Sequence, residues 1–261
     1  VKLIIHIIKN KMEDIFVIDH ALVLAAGHGS RLRDHVAVPH KALVQLEGEP
    51  LLLRTCRMLD RLGLREITIV TGHEGVALRS AIEGASGIEA KLGFIENTDW
   101  RLANGLSVLA AADVLERDYL LMMADHLLDP DMIAGMCRVE LAAGEVVLAV
   151  DRKLDAIYDM DDATKVRLEG EHIVEIGKEI ADYNAIDTGL FACGDALVAC
   201  LAEVRAQKGD ASLTDGMRVL IERKKFRALD IGPSWWQDVD TPGALAHGAK
   251  LLQENMGGGA S

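Results

Sequence analysis

The sequence is short of cations, cysteines and aromatic residues, and it lacks any long apolar run. Lysine and arginine number 28 against 41 aspartates and glutamates, a formal net charge of -13. Bulk electrostatic binding to duplex nucleic acid or an anionic membrane surface needs the opposite sign, because phosphate contacts come from Lys and Arg. Nucleic acid is therefore excluded as the main partner. A few well-placed cations can still build a local site for an acidic small molecule. The four cysteines, Cys56, Cys137, Cys193 and Cys200, contain no CxxC pair. They neither match a zinc site nor make a disulfide scaffold in a chain this long, and they read as reduced, mostly buried thiols of a cytoplasmic protein. No apolar stretch reaches the ~20 residues needed to span a bilayer. Leu3 to Ile8 is interrupted by His6, is followed by Lys9 and Lys11, and lacks the cleavage site of a signal peptide. With Met12 just ahead of the first convincing strand, residues 1–11 read as leader or vector-derived sequence. Residues 12–254 then form a single domain, and 255–261, with Gly257-Gly258-Gly259, a flexible tail.

What is present is ordinary globular composition, half hydrophobic and 26% charged. Through the first 150 residues, apolar runs of strand length alternate with amphipathic helix-length segments. Val17 to Ala25, Glu66 to Thr71, Leu92 to Ile95, Tyr119 to Ala124 and Glu145 to Val150 read as strands. Helices fill the gaps: one opened by Pro50 and running to Leu62, then Glu74 to Glu83, Leu106 to Leu115, and one capped by Asp129-Pro130. This alternation predicts βαβ units, hence a three-layer α/β/α fold with a mainly parallel, mixed central sheet. The second half changes texture. Lys165 to Leu168 and His172 to Ile176 read as a hairpin, followed by strands at Ala185 to Phe191 and Phe226 to Ile231. Helices are expected at Asp195 to Ala206, from Ser212 to Glu222 behind a near capping box, and from Thr241-Pro242 to about Glu254. Ligands of such sheets sit beyond the carboxyl ends of the strands, where Gly27, Gly72 and Asp125 lie.

The strongest local signal is Leu24-Ala25-Ala26-Gly27-His28-Gly29-Ser30-Arg31-Leu32, directly after a buried strand. Small residues let backbone N–H groups converge on an anion, and Arg31 adds a guanidinium fork suited to phosphate. It is neither a Walker loop, having no Lys in register, nor a dinucleotide fingerprint, since Leu32 stands at the third glycine. Taken as a bare GxG, it is a tight βα turn. Asp125 ends a buried strand at the same edge. Asp238 and Asp240 offer further carboxylates and read as pointing to opposite sides of the strand end, so that one of them at most touches a metal. The structural alternatives, each the lesser reading, are for Asp240 to cap the helix opened by Pro242 and for Asp125 to cap a turn.

The run LAAGxGxRL with Pro39-His40-Lys41-Ala42-Leu43 after it resembles the nucleotidyltransferases that activate phosphorylated sugars and alcohols, with one extra residue between Pro and Lys. Asn104-Gly105-Leu106-Ser107, Ala124-Asp125-His126, Val150-Asp151-Arg152 and Ala163-Thr164-Lys165-Val166 extend the likeness, as do Ile176-Gly177-Lys178, Asp187-Thr188-Gly189 and Trp236 to Thr241. From about Ala21 to Leu252 the chain is most similar to the CTP:inositol-1-phosphate cytidylyltransferases, the cytidylyltransferase domain of di-myo-inositol phosphate phosphate synthesis enzymes. The resemblance implies the nucleotidyltransferase fold and attack of a phosphate monoester on the α-phosphate of CTP, with Mg²⁺. It implies Arg31 and Lys41 as cations on the triphosphate and Lys178 on the acceptor phosphate. Ala25, Ala26, Gly27, Gly29, Ser30 and Gly72 would line the nucleotide, with Asn104, Gly105 and Ser107 closing over base and ribose. Asp187 and Thr188 would meet a polyol, and Asp125 with Asp238 or Asp240 the metal.

A monoester's second pKa is near 6, so the nucleophile is already largely a dianion and no strong general base is required. Alignment and charge neutralisation suffice, which matches acids plus separate cations and no Ser/His/Asp triad. Acceptors such as phosphocholine, an aminoalkyl phosphonate or a sugar 1-phosphate keep the same chemistry. A quaternary amine would want an aromatic box, and three Trp, three Tyr and four Phe leave little for one. A nucleotide-sensing domain on the same fold is the non-enzymatic alternative, though it would be expected to have lost Arg31, Lys41 or Asp125. Relatives are often fused to a membrane CDP-alcohol phosphotransferase, so fusion to or association with one is a further expectation, and a homodimer is compatible with the sequence.

Other residues read as structural. His28, His35 and His40 lack metal-binding spacing and read as loop histidines. Asp159, Asp161 and Asp162 resemble a calcium loop but lack its Gly and Glu, so they read as a solvated acidic loop. Trp235 and Trp236 are candidates to line the site, but a paired aromatic at a strand more often reads as core packing.

Overall fold

The computed structural model describes residues 18–29, 32 and 38–256. The strands are β1 (His20–Ala25), β2 (Gln45–Leu46), β3 (Glu49–Pro50), β4 (Glu66–Thr71), β5 (Lys91–Glu96), β6 (Tyr119–Met123) and β7 (His126–Leu128). They continue as β8 (Val146–Asp151), β9 (Lys165–Glu169), β10 (His172–Gly177), β11 (Ala185–Cys193), β12 (Phe226–Asp230) and β13 (Trp236–Asp238). Among the described residues the α-helices are α1 (Leu51–Arg61), α2 (Gly75–Glu83), α3 (Gly105–Ala110), α4 (Pro130–Met136), α5 (Ala196–Lys208), α6 (Leu213–Glu222) and α7 (Pro242–Met256).

Nine strands form one sheet in the order β5-β4-β1-β6-β11-β8-β12-β10-β9. The first four run parallel, as the βαβ reading requires. β11 then enters antiparallel between β6 and β8, and the β9–β10 hairpin adds an antiparallel edge, while β12 is parallel to β8. The sheet is therefore mixed, with its parallel character concentrated in the first half. Alternate residues of each central strand feed two cores. Leu22 and Leu24 of β1 pack with α3, α5 and α6 on one face. Ala21, Val23 and Ala25 pack with α1, α2 and α4 on the other. Burying each Leu or Val side chain among them contributes about 1.5–3 kcal/mol, which is why the two-sided sheet is the stable solution for these continuous apolar runs.

Local signals hold where they are chemical. Asp129 accepts from the Asp131 N–H at 2.9 Å, and Ser212 with Asp215 completes a capping box at α6. The expected helix over Leu106 to Leu115 is shorter: α3 stops at Ala110 and a 3₁₀ turn, Ala112–Val114, follows. A short antiparallel ribbon, β7 with β13, lies outside the main sheet and carries the chain on either side of the functional edge. All four cysteines are free and buried. No helix of the described residues is long and apolar enough to cross a membrane.

Candidate active site

At the carboxyl edge of the parallel strands, three turns converge. β1 runs into Ala26-Gly27-His28-Gly29, β4 into Gly72-His73, and β6 into Ala124-Asp125. Gly72 is required by close approach, since a Cβ there would lie 2.5 Å from Trp100 Cβ and 2.8 Å from the Ala26 carbonyl. The His73 N–H donates to that same Ala26 carbonyl at 3.1 Å, which ties the first two turns together. Gly29 has a positive φ of 58°, and a Cβ there would meet Lys41 Cβ at 2.6 Å. Gly29→Ala is thus expected to lower stability by about 2 kcal/mol, through the left-handed backbone and the clash together. Thermal melts check this, and the activity of the folded fraction should fall as Lys41 is displaced.

Lys41 sits in a 3₁₀ turn, Lys41–Leu43, behind His40, whose Nδ1 accepts the Ala42 N–H at 3.0 Å. Burial lowers the His40 pKa to about 4, so the ring stays neutral and can keep accepting that bond. The turn sends the Lys41 side chain inward, where only 7% of it remains exposed. Its Nζ donates to Asp125 Oδ2 at 2.6 Å, contacts Asp240 Oδ1, and lies 3.8 Å from Asp238 Oδ1. Burial would raise the Asp125 carboxyl, but the Lys41 ammonium and a hydrogen bond from His126 hold it well below the ordinary carboxylate range. For His126 burial acts downward, yet Asp238 and Asp125 outweigh it and the pKa is raised.

Asp238 and Asp240 therefore do not point apart. The expectation of opposite sides fails because side chains two apart along a strand share a face, and the bond from the Val239 N–H to the Asp125 carbonyl holds this segment beside Asp125. Both carboxylates reach the same ammonium. The cap of α7 is instead Thr241, whose Oγ1 accepts the Ala244 N–H at 3.1 Å. Asp162 also departs from the solvated-loop reading: ligand oxygens of Asp162, Asp238 and Asp240 lie within 4.8 Å of one another, as do ligand atoms of Asp125, His126 and Asp238.

Beside this cluster opens a cavity of about 340 Å³ lined by Asn104, Asp151, Tyr158, Asp187, Lys178 and Trp236 among others. Lys178 follows β10 and pairs with Asp162 at 2.5 Å. Asp187 reaches the cavity, and its Oδ1 accepts the Gly189 N–H at 2.7 Å. Thr188 is fully buried and donates to the Ala149 carbonyl at 2.8 Å, which spends its hydroxyl on the sheet. Asn104 accepts the Leu213 N–H at 2.9 Å and so anchors α6, while Ser107 Oγ accepts from Asn97 Nδ2 at 3.0 Å. Gly105 is held by packing, as a Cβ there would come 2.5 Å from the Ala211 carbonyl. Ala25 and Ala26 are buried at the end of β1, and Gly27 has open space where a Cβ would stand. Ser30 and Arg31 lie outside the described residues, as does His35. His28 is no isolated loop residue, since its ring lies 4.4 Å from that of His73.

Burial raises the Asp187 pKa to about 6. The unfolded value is near 3.9, so the penalty for holding the anion is fully present above about pH 6 and vanishes toward pH 4. Asp187→Asn keeps an acceptor for Gly189, and it is expected to raise stability by about 1–2 kcal/mol at pH 8 with no gain near pH 4. Melting curves at the two pH values check the sign.

The sequence matches the MobA-like NTP transferase domain over residues 21–225, which takes in the whole of this edge. The chain belongs to that family. Among similar proteins, the bifunctional IPC transferase and DIPP synthase of Rubrobacter xylanophilus is 38% identical over 226 residues, 85% of this chain and 49% of the relative. The protein of the same name from Thermococcus kodakarensis is 30% identical over 235 residues, 90% of this chain and 50% of the relative. The chain thus spans about half the length of the curated relatives it matches. Among solved structures, the inositol-1-phosphate CTP transferase from T. maritima superposes with a TM-score of 0.81 at 25% identity, covering 94% of this chain and 99% of that one. Within this NTP transferase frame, His126, Asp151, Asp162 and Trp236 are the site residues that sequence reasoning did not assign. The signal for His126 was its place beside Asp125. Asp162 carried none, because an acidic run on a loop reads as solvated until tertiary contacts fold it inward.

Proposed function

We propose that the chain transfers a cytidylyl group from CTP to inositol 1-phosphate, giving CDP-inositol and pyrophosphate. The observation that carries this reading is the near-complete superposition on an inositol-1-phosphate CTP transferase, at an edge where one lysine meets Asp125, Asp238 and Asp240. The nucleophile is the acceptor's own phosphate dianion, so the protein's task is to align it in line with the α-phosphate and to neutralise charge. Lys178, at the mouth of the cavity, binds the acceptor phosphate, and Asp187 accepts from polyol hydroxyls. Lys41, together with Arg31 of the glycine-rich motif, stabilises the triphosphate and the leaving pyrophosphate. The backbone around Ala25, Ala26, Gly27, Gly29, Ser30 and Gly72 receives the nucleotide, and the segment Asn104-Gly105-Ser107 borders its base and ribose.

The acidic cluster suits a hard divalent cation, because its carboxylate oxygens are close enough to share one ion. Asp125 and Asp238 would hold it, with Asp240 and Asp162 adjacent, and Mg²⁺ is the ion we assign. When bound it supplies charge neutralisation at the reacting phosphate oxygens. The buried free thiols suit a reducing, cytoplasmic compartment. CDP-inositol made there would serve a membrane CDP-alcohol phosphotransferase, fused to this domain or separate from it.

The test is pyrophosphate release with CTP, Mg²⁺ and a panel of acceptors. Inositol 1-phosphate is expected to give the highest kcat/KM, and preference for phosphocholine, an aminoalkyl phosphonate or a sugar 1-phosphate would replace the acceptor. Lys178→Ala is expected to raise the KM for acceptor about tenfold or more and leave that for CTP nearly unchanged, since it removes one charge-assisted contact to a single substrate.

A further inference from the structure

We infer that His126 is a positioning residue that holds the Asp125 carboxylate in its cation-binding orientation, an inference that rests on the metal assignment above. The imidazole occupies a seat built by three separate elements. Its Nδ1–H donates to Asp125 Oδ1 at 2.9 Å, on the oxygen opposite the one that Lys41 binds. The Trp236 indole stacks on it, with planes 14° apart and centroids 6.2 Å apart. The indole is itself fixed, because Trp236 Nε1–H donates at 3.0 Å to Asp151, a buried carboxylate that Lys153 neutralises at 2.8 Å. The third wall is Gly189, which has a φ of +76° and comes so near that a Cβ there would lie 2.8 Å from the imidazole. This is where the β8–β11 register breaks, between Asp187 and Phe191. The central strand of the sheet thus gives up regular pairing and a side chain beside one ring.

The consequence is chemical. A carboxylate with one oxygen bound by an imidazole and the other by an ammonium has no rotational freedom left. Groups that hydrogen-bond to a ligating carboxylate set its orientation, and their loss costs about 10–100-fold in metal affinity. An all-oxygen preference for Mg²⁺ places the ring behind the ligand, oriented by its Nδ1–H, and not on the ion.

The experiment measures Mn²⁺ binding by electron paramagnetic resonance in the absence of nucleotide and acceptor, alongside the half-saturating Mg²⁺ for turnover. His126→Phe keeps the stacking ring and removes the donor, and it is expected to weaken both by about 10–100-fold with KM for acceptor nearly unchanged. His126→Asn restores a donor close to the Nδ1 position and should recover most of the loss. Gly189→Ala keeps both the His126 and Asp125 side chains but displaces the imidazole, which its Cβ would meet at 2.8 Å, and it should weaken Mn²⁺ binding. Unchanged Mn²⁺ affinity in folded His126→Phe overturns the inference, and if that variant does not fold, unchanged affinity in Gly189→Ala does. Equal losses in His126→Phe and His126→Asn also overturn it, because direct ligation or simple packing would then account for the ring. Shifted Mn²⁺ affinity in a protein inactive on inositol 1-phosphate would leave the inference standing and remove the proposed acceptor.

Discussion

Replacing Asp125 by asparagine is expected to lower kcat by about 10³-fold or more while the protein stays folded. Asparagine keeps the volume and an oxygen that can accept the His126 Nδ1–H. Lys41 keeps its contacts with Asp240 and Asp238, so no buried charge is stranded. What disappears is the negative charge at the end of β6 that would bind the metal. The loss should fall on kcat, because the metal's differential effect is on charge developing during transfer. Steady-state kinetics over a range of Mg²⁺, with melting curves for both proteins, check it. A loss below tenfold at saturating Mg²⁺ would remove Asp125 from the metal site.

Lys41→Met is expected to have the second largest effect, and on two observables at once. As a fixed cation facing developing phosphate charge, Lys41 should be worth about 10²–10³-fold in kcat. It is also the ammonium that Asp125, Asp238 and Asp240 share, with 7% of its side chain exposed. Its removal leaves these carboxylates facing one another without their common counter-charge. Stability in the absence of divalent metal should fall by about 2 kcal/mol, less than for a fully buried pair because the acids keep some solvent contact. Added Mg²⁺ should then raise the melting temperature of Lys41→Met more than that of the unaltered protein. A similar metal-induced rise in both would mean that lysine and cation do not compete for the same carboxylates.

Much of this site was legible in the chain because its parts follow strands with strong local signatures. The β4 boundaries, Glu66 to Thr71, match the apolar run residue for residue. Gly29 and Lys41 belong to one motif, and the structure adds the reason: only glycine lets the loop pass over the Lys41 stem. The parts not legible depend on pairing between distant segments. β7 and β13 are three residues each, too short for periodicity, and they exist because they pair with each other. That ribbon brings Asp238 and Asp240, which share a face as residues two apart, to the Lys41 ammonium. Trp236 reads as core from composition alone. Its indole N–H needs a buried acceptor, and Asp151 supplies one only once β8 and β13 are folded together. The hydroxyls of Ser107 and Thr188 likewise have partners that no local motif names, Asn97 donating to the first and the Ala149 carbonyl accepting from the second.

The most direct test of nucleotidyl transfer to a cyclitol phosphate is a phosphorus NMR time course with CTP, inositol 1-phosphate and Mg²⁺. The acceptor monoester and the triphosphate signals are expected to decline together, replaced one for one by free pyrophosphate and the coupled pair of a CDP-diester. A spectrum in which inositol 1-phosphate stays intact while CTP is unchanged, or is hydrolysed to CMP and pyrophosphate, would contradict that transfer.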